Sequence, residues 1–249
     1  SVRFVIEPDS GLLLRTAPAI SPDGRTIVYG VQAPDGTTRL HARAIDSVES
    51  RVLPETEDAD VPAFSPDGQW IAFARGAVLR RVRLDGTQVD DIARLPTLTP
   101  YFSLTWIAGD TILVATHTAA IGALSIADRR LELLTPFEGP MPFFGISELP
   151  QGRLLVVTSP PGAVTTSDRV FGIYDRATKR FTELGAGIGA RYANGTVVYC
   201  NRAGELFVQA VDLAAGKLLG VPRQVAPDVQ FGRETPSFAV SATGTIVHR

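Results

Sequence analysis

The sequence predicts an all-β fold built by repetition of one small antiparallel unit, and three observations carry the prediction. PAISPDGRTIVYG, from Pro18 to Gly30, and PAFSPDGQWIAFAR, from Pro62 to Arg75, each read as an apolar strand, a Ser-Pro-Asp-Gly turn and a second apolar strand. The turn glycines Gly24 and Gly68 are 44 positions apart, and Gly109, Gly152, Gly195 and Gly244 follow at steps of about 41 to 49. Each later glycine precedes a β-branched run: TILVA from Thr111, RLLVVT from Arg153, TVVY from Thr196 and TIVH from Thr245. Six units of about 43 residues match the length of a four-stranded propeller blade, so the predicted architecture is a six-bladed β-propeller.

The turn has a mechanical rationale. Pro22 and Pro66 preset φ for the first central position, Asp23 and Asp67 bond local backbone amides, and Gly24 and Gly68 accept a positive φ without steric cost. An aspartate repeated at one blade position also suits a ring around a cation. Only two of the six units keep it, the others reading WIAGD, LPQG, YANG and SATG, so Asp23, Gly24, Asp67 and Gly68 are read as structural, with no metal and no cofactor.

Taken in order, VRFVIE from Val2 to Glu7 alternates as a strand, and Leu12 to Arg15 adds a short one. Blades are expected near 17–55, 61–95, 101–135, 142–184 and 190–226 within a single domain of 249 residues. In the first, strands fall near Ala17–Ser21, Thr26–Gln32, Arg39–Ile45 and Ser50–Leu53, with a turn at Asp35-Gly36. The fourth holds the longest insertion, SPPGAVTTSD from Ser159 to Asp168, between its second and third strands. PSFAVSATGTIVHR supplies only two strands of a sixth blade, over 236–249. Residues 2–15 are therefore expected to complete it, with Val2–Glu7 pairing onto the C-terminal strands to close the ring.

Composition removes several function classes. The hydrophobic share of 45% is ample for a core, and a formal charge of -2 lacks the basic field that nucleic-acid binders need. The basic run LRRVRL, from Leu79 to Leu84, reads as a solvated strand face carrying Arg81 and Arg83. A lone cysteine, Cys200, excludes an internal disulfide and reads as a small core residue. No apolar run reaches the roughly 18 to 20 residues of a membrane-spanning helix. Trp70 and Trp106 sit at strand positions that suit packing between blades.

No nucleophile elbow, zinc-protease helix, phosphate-binding loop or dinucleotide fingerprint is present. His41, His117 and His248 occupy unequal places within their units, which argues against a shared metal. Recognition surfaces are better supported. In a propeller, the connections from a fourth strand to the next blade and from a second strand to a third gather at one end of the channel. That set contains an acidic loop with Glu55, Glu57, Asp58 and Asp60, an apolar loop FEGPMPFF with Phe137 and Met141, and Tyr101, Phe102, Phe231 and Arg233. Rigid rings beside a charged rim supply contact area at little entropic cost. Phe143 and Phe144 are expected to begin an inner strand and be buried.

The motifs ISPDGRTIVYG, AFSPDGQWIAFARGAVLRRVRLDG, GARYANGTVVYCNRAGELFVQAVDL and SFAVSATGTIVHR resemble, in this order, the TolB-like propeller found after the kinase and membrane span of many bacterial receptor Ser/Thr protein kinases. The likeness runs from VRFVIEPDSG onward and is weak between about Pro96 and Thr182. It implies an extracytoplasmic, non-catalytic sensor or interaction domain, bound by a small molecule, peptide or protein, and monomeric when isolated. Related propellers also act as accessory domains of prolyl-oligopeptidase-type enzymes. A lactonase-type, metal-dependent propeller hydrolase is the alternative from another class.

Overall fold

The computed structural model describes residues 13–95, 101–107, 109–116, 121–134, 143–160, 168–232 and 235–249. Apart from one 3-10 turn at Pro150–Gly152, its regular elements are all strands. Blade 1 contains β1 (Leu13–Leu14), β2 (Ala19–Ile20), β3 (Thr26–Gln32), β4 (Thr38–Ala44) and β5 (Ser50–Val52). Blade 2 contains β6 (Asp60–Phe64), β7 (Trp70–Arg75), β8 (Val78–Arg83) and β9 (Val89–Arg94), and blade 3 contains β10 (Tyr101–Ile107), β11 (Thr111–Thr116), β12 (Ile121–Ser125) and β13 (Arg130–Leu133). Blade 4 contains β14 (Phe143–Glu148), β15 (Leu154–Thr158), β16 (Val170–Asp175) and β17 (Arg180–Ala186). Blade 5 contains β18 (Gly189–Ala193), β19 (Thr196–Cys200), β20 (Leu206–Asp212) and β21 (Lys217–Ala226). A ribbon, β22 (Phe231–Gly232) with β23 (Thr235–Pro236), leads into a last hairpin, β24 (Phe238–Val240) with β25 (Ile246–His248).

Strands within each blade are antiparallel and follow chain order, so each blade is a meander. The second strands are near-continuous apolar runs because both their faces are covered by neighbouring blades. Ile27 and Val28 in β3, Ile71 to Phe73 in β7, and Leu154, Val156 and Val157 in β15 are fully buried. Outer strands face water and lose that character: all three residues of β5 are exposed.

Among the described residues there are five full blades rather than the expected six, four of them four-stranded and blade 1 carrying β1 to β5, and the sixth position holds the two-stranded β24–β25 sheet. The first strands β2, β6, β10, β14, β18 and β24 are neighbours in that sequence, and β24 returns to β2, which closes the ring. The period of two along a strand lets this thin sheet cover two blades. Phe238, Val240 and Ile246 pack on Ile188, Val198 and Leu206 of blade 5, while Ala239 and Val247 pack on Ile20, Ile27, Tyr29 and Val31 of blade 1.

The expectation that residues 2–15 complete the sixth blade is corrected where it can be seen. Leu13 pairs with Gln32 and Leu14 with Val31, so β1 belongs to blade 1. Residues 1–12, with the expected strand Val2–Glu7, lie outside the described residues. β1 and β2 are two halves of one inner strand, because β2 pairs further along β3, with Ala19 opposite Val28. At the break, the Thr16 hydroxyl accepts the Gly30 N–H at 2.7 Å in place of a main-chain carbonyl. A side chain at Gly30 would collide with Thr16, its Cβ falling 2.5 Å from Thr16 Cγ2.

The Ser-Pro-Asp-Gly turns link the units at one end of the ring. Ser21 Oγ donates to Asp23 Oδ1 at 2.5 Å and accepts the Thr26 N–H at 2.9 Å, while Gly24 N–H donates to Ser21 O at 2.8 Å. Ser65, Asp67 and Gly68 repeat these bonds, and in the last hairpin Thr243 Oγ1 takes the aspartate's place, 2.9 Å from Ser241 Oγ. Thr243 Oγ1 donates to Asp23 O at 3.3 Å, across 220 residues of chain. Gly24, at φ +76°, is packed so closely that a Cβ would lie 2.6 Å from Thr245 Oγ1 and 2.9 Å from Thr243 Oγ1.

Gly195 has the same backbone, φ +77°, with open space around it. Gly195→Ala is expected to cost about 1 kcal/mol, the left-handed penalty alone. Gly24→Ala adds the collision between blade 1 and the last hairpin, so its thermal midpoint is expected to fall several degrees further, by about 2 to 4 °C per additional kcal/mol. Equal losses for the two variants would show that the ring does not close at this contact.

Candidate functional site

Antiparallel meanders place the connections between blades, together with the β3–β4-type loops, at the end of the ring opposite the Ser-Pro-Asp-Gly turns. The loop from Leu53 to Val61, which joins blades 1 and 2, lies at this end. Fully buried Thr56 anchors it, its hydroxyl donating to Leu53 O at 2.7 Å and accepting the Leu40 N–H at 3.0 Å. Asp58 N–H donates to Thr38 O at 2.7 Å. Glu55, Asp58 and Val61 all have left-handed backbones, at φ 55°, 55° and 45°. Val61 is the costliest, being β-branched and followed by Pro62, a context that favours extended conformations.

Two arginines, from the third strands of blades 1 and 2, take up part of the loop's negative charge. Arg39 Nε meets Glu57 Oε1 at 3.1 Å, and Arg80 Nη2 meets Glu55 Oε2 at 3.2 Å while Arg80 Nη1 donates to Glu55 O at 3.0 Å. Glu57 is held below the usual carboxylate range first by its own backbone N–H and then by Arg39. Asp58 is exposed, and Asp60 begins β6, with its Oδ1 accepting the Val61 N–H at 3.0 Å.

The other expected rim residues are distributed as follows. Phe231, 47% exposed, lies in the ribbon between blade 5 and the last hairpin, at the same end of the ring as the acidic loop. Tyr101 and Phe102 open β10, the inner strand of blade 3. Phe137, Met141 and Arg233 lie outside the described residues, as does His117. Phe143 and Phe144 are buried, as is Cys200, whose thiol is pushed up to about 11 by burial. Trp70 carries Arg81 over its ring at 4.3 Å, and Arg81 Nε meets Asp90 Oδ2 at 2.9 Å, so that arginine is engaged within its own blade. His41 stacks on Tyr29, and His248 ends β25.

Two arginines carry features that the sequence did not announce. Arg169 is buried with its guanidinium 3.4 Å over the Phe144 ring, and Arg191 projects from inner strand β18. Neither sits in a basic run, and Arg191, although within the GARYANGTVVYC motif, carries no pattern there that marks a site, so the fold reveals them. No group of three His, Cys, Asp or Glu side chains among the described residues is placed to hold a metal ion. An open groove of about 550 Å³ lies between Glu132 and Leu134 of blade 3 and the blade 4 turns, and two of its charged groups, Arg153 and Asp175, are bonded within the protein. Arg153 Nη1 donates to Leu213 O at 2.7 Å, and Asp175 accepts the N–H groups of Ala177 and Thr178 at 2.9 Å. No helix among the described residues is long and apolar enough to cross a membrane.

The closed ring of radial sheets has counterparts among known structures. TolB from Acinetobacter baumannii superimposes with a TM-score of 0.64 at 18% identity, over 80% of this chain and 51% of that one. The chain is a β-propeller. The nidogen/laminin complex matches with a TM-score of 0.68 at 10% identity over 94% of this chain and 86% of that one, and U3-55K with 0.61 at 11% over 97% and 88%. In sequence, 78 residues are 37% identical to an uncharacterized protein of Agrobacterium fabrum, covering 29% of this chain and 26% of that protein. The chain thus spans about a quarter of that relative and about half of TolB. No protein-family model matches it.

The propeller's turn aspartates have a pH signature. Asp23 and Asp67 lie below the ordinary carboxylate range, chiefly through the Ser21 and Ser65 hydroxyls and then through the N–H groups of Arg25 and Gln69. Folded values below unfolded ones mean stability that is present above the unfolded pKa and lost as pH falls through the folded value. Replacing both by Thr, the residue the last hairpin uses, is expected to shrink the fall in thermal midpoint between about pH 6 and about pH 3. An undiminished fall would remove these two carboxylates from the account of acid stability.

Proposed function

We propose that this chain is a non-catalytic recognition propeller, binding a ligand or partner at the end of the ring that carries the Glu55–Val61 loop and Phe231. The observation that carries the reading is that loop's backbone. Three non-glycine residues out of seven are held in left-handed conformations by buried Thr56, by Thr38 and by two arginines. Such strain, of order 1 to 3 kcal/mol per residue, persists where a surface is fixed for contact. Exposed Asp58 and Phe231 supply the charge and the rigid ring.

The motif resemblance to receptor Ser/Thr kinase propellers supports placing this surface outside the cytoplasm, as the sensor domain of such a kinase or a similar signalling protein. Phe137, Met141 and Arg233 belong to the same proposed surface by their place in the sequence.

A photo-crosslinking residue at Phe231 or Asp58, in the cells the chain comes from, is expected to capture a partner. The same residue at Val48, 88% exposed in the turn between β4 and β5 at the opposite end, is expected to capture none. Adducts from Val48 alone would place recognition at the wrong end of the ring.

A further inference from the structure

We propose that the inner wall of the ring carries an oxyanion site centred on Arg191, which takes the carboxylate or phosphate group of a small ligand. This goes beyond the recognition surface proposed above, since it lies on inner strands rather than on the loops.

Arg191 sits in β18, and its guanidinium spans the inner edges of three neighbouring sheets. On one side it lies 5.7 Å from the ring of Phe238 in β24. On the other it reaches Gly145 in β14, where a Cβ would stand 3.0 Å from Nη1. Because β14, β18 and β24 are successive first strands of the ring, the space among them is the axial channel. Glycine at 145 makes room for the guanidinium there.

The hydrogen-bond account is incomplete on one edge. Nη1 donates to Ala190 O at 2.9 Å, and Nε and Nη2 have no acceptor among the described residues. Those two nitrogens form the side-on edge of the guanidinium, the geometry that grips a carboxylate or phosphate through two parallel bonds. Arg191 is partly buried, and neither nitrogen is sealed from solvent. Desolvation alone pushes the group down to about 10, with no carboxylate contributing, yet it remains cationic at neutral pH. A desolvated cation without an ion-pair partner is costly to keep, and removing that cost is what a bound oxyanion would do. One residue from Phe238, the Ser237 hydroxyl is also buried without a hydrogen-bond partner.

The test is the thermal midpoint of the full chain at constant ionic strength, with sodium chloride replaced stepwise by sodium acetate in one arm and by sodium phosphate in another. A saturable rise is expected, about 5 to 10 °C at roughly a hundredfold excess over Kd. Arg191→Met should lose this response while its midpoint in chloride is equal or higher, because a partly buried charge without an ion-pair partner is replaced by an apolar side chain. Gly145→Ala, which has no left-handed backbone to strain, should fold and show a weakened response as its methyl displaces Nη1. Response in one arm only identifies the group recognised. No saturable rise in either arm, or the same rise in Arg191→Met and Gly145→Ala, would overturn the proposal.

Discussion

A blade of this protein is apolar on both faces, so each needs a neighbour on both sides, and the ring must close. An arc of five blades would leave Ile20, Ile27, Tyr29 and Val31 of blade 1 facing water, and likewise Ile188, Val198 and Leu206 of blade 5. At about 25 cal/mol per Å² such exposure costs several kcal/mol, a large part of a domain's net stability. The last hairpin answers this with two strands. Alternation sends Phe238 and Val240 one way and Ala239 the other, and the register of β25 repeats the division with Ile246 and Val247. The hairpin gives its smaller side chains, Ala239 and Val247, to the blade 1 side of this joint, and the Thr243–Asp23 bond reinforces that side.

That closure governs what the molecule offers to others. It fixes the inner strands at short range, as where Thr105 Oγ1 donates to Ile146 O at 2.8 Å between blades 3 and 4. A rigid inner ring gives the Glu55–Val61 loop a base firm enough to hold left-handed residues. It also places Arg191 between Phe238 and Gly145. Loop face and channel wall are thus two surfaces made available by one constraint.

Much of the fold was legible because Pro, Asp and Gly at fixed offsets have few conformations to choose from. Gly24, Gly68, Gly195 and Gly244 all adopt the positive φ that their place before a β-branched run implied. Blade completeness was less legible, since a glycine-anchored hairpin marks where a unit begins and says nothing of how many strands follow. The assignment of Leu13–Leu14 was missed for a related reason: β3 is long enough to pair with two short segments, and sequence spacing does not show which half takes which. At the loop face, the acidic residues stood out, but their neutralisation depends on Arg39 and Arg80, distant in sequence and adjacent only after folding. Arg191 gave no signal at all, because a single arginine in a strand acquires meaning only from the three sheets around it.

The closing joint is the claim on which the rest depends, and nuclear Overhauser contacts in the unmodified chain test it most directly. Cross-peaks between the Gly24 amide or α-protons and the side chains of Thr243 and Thr245 are the predicted result, given how closely those residues meet. A well-folded spectrum with no such contacts, and Gly24 meeting only its own blade, would contradict it.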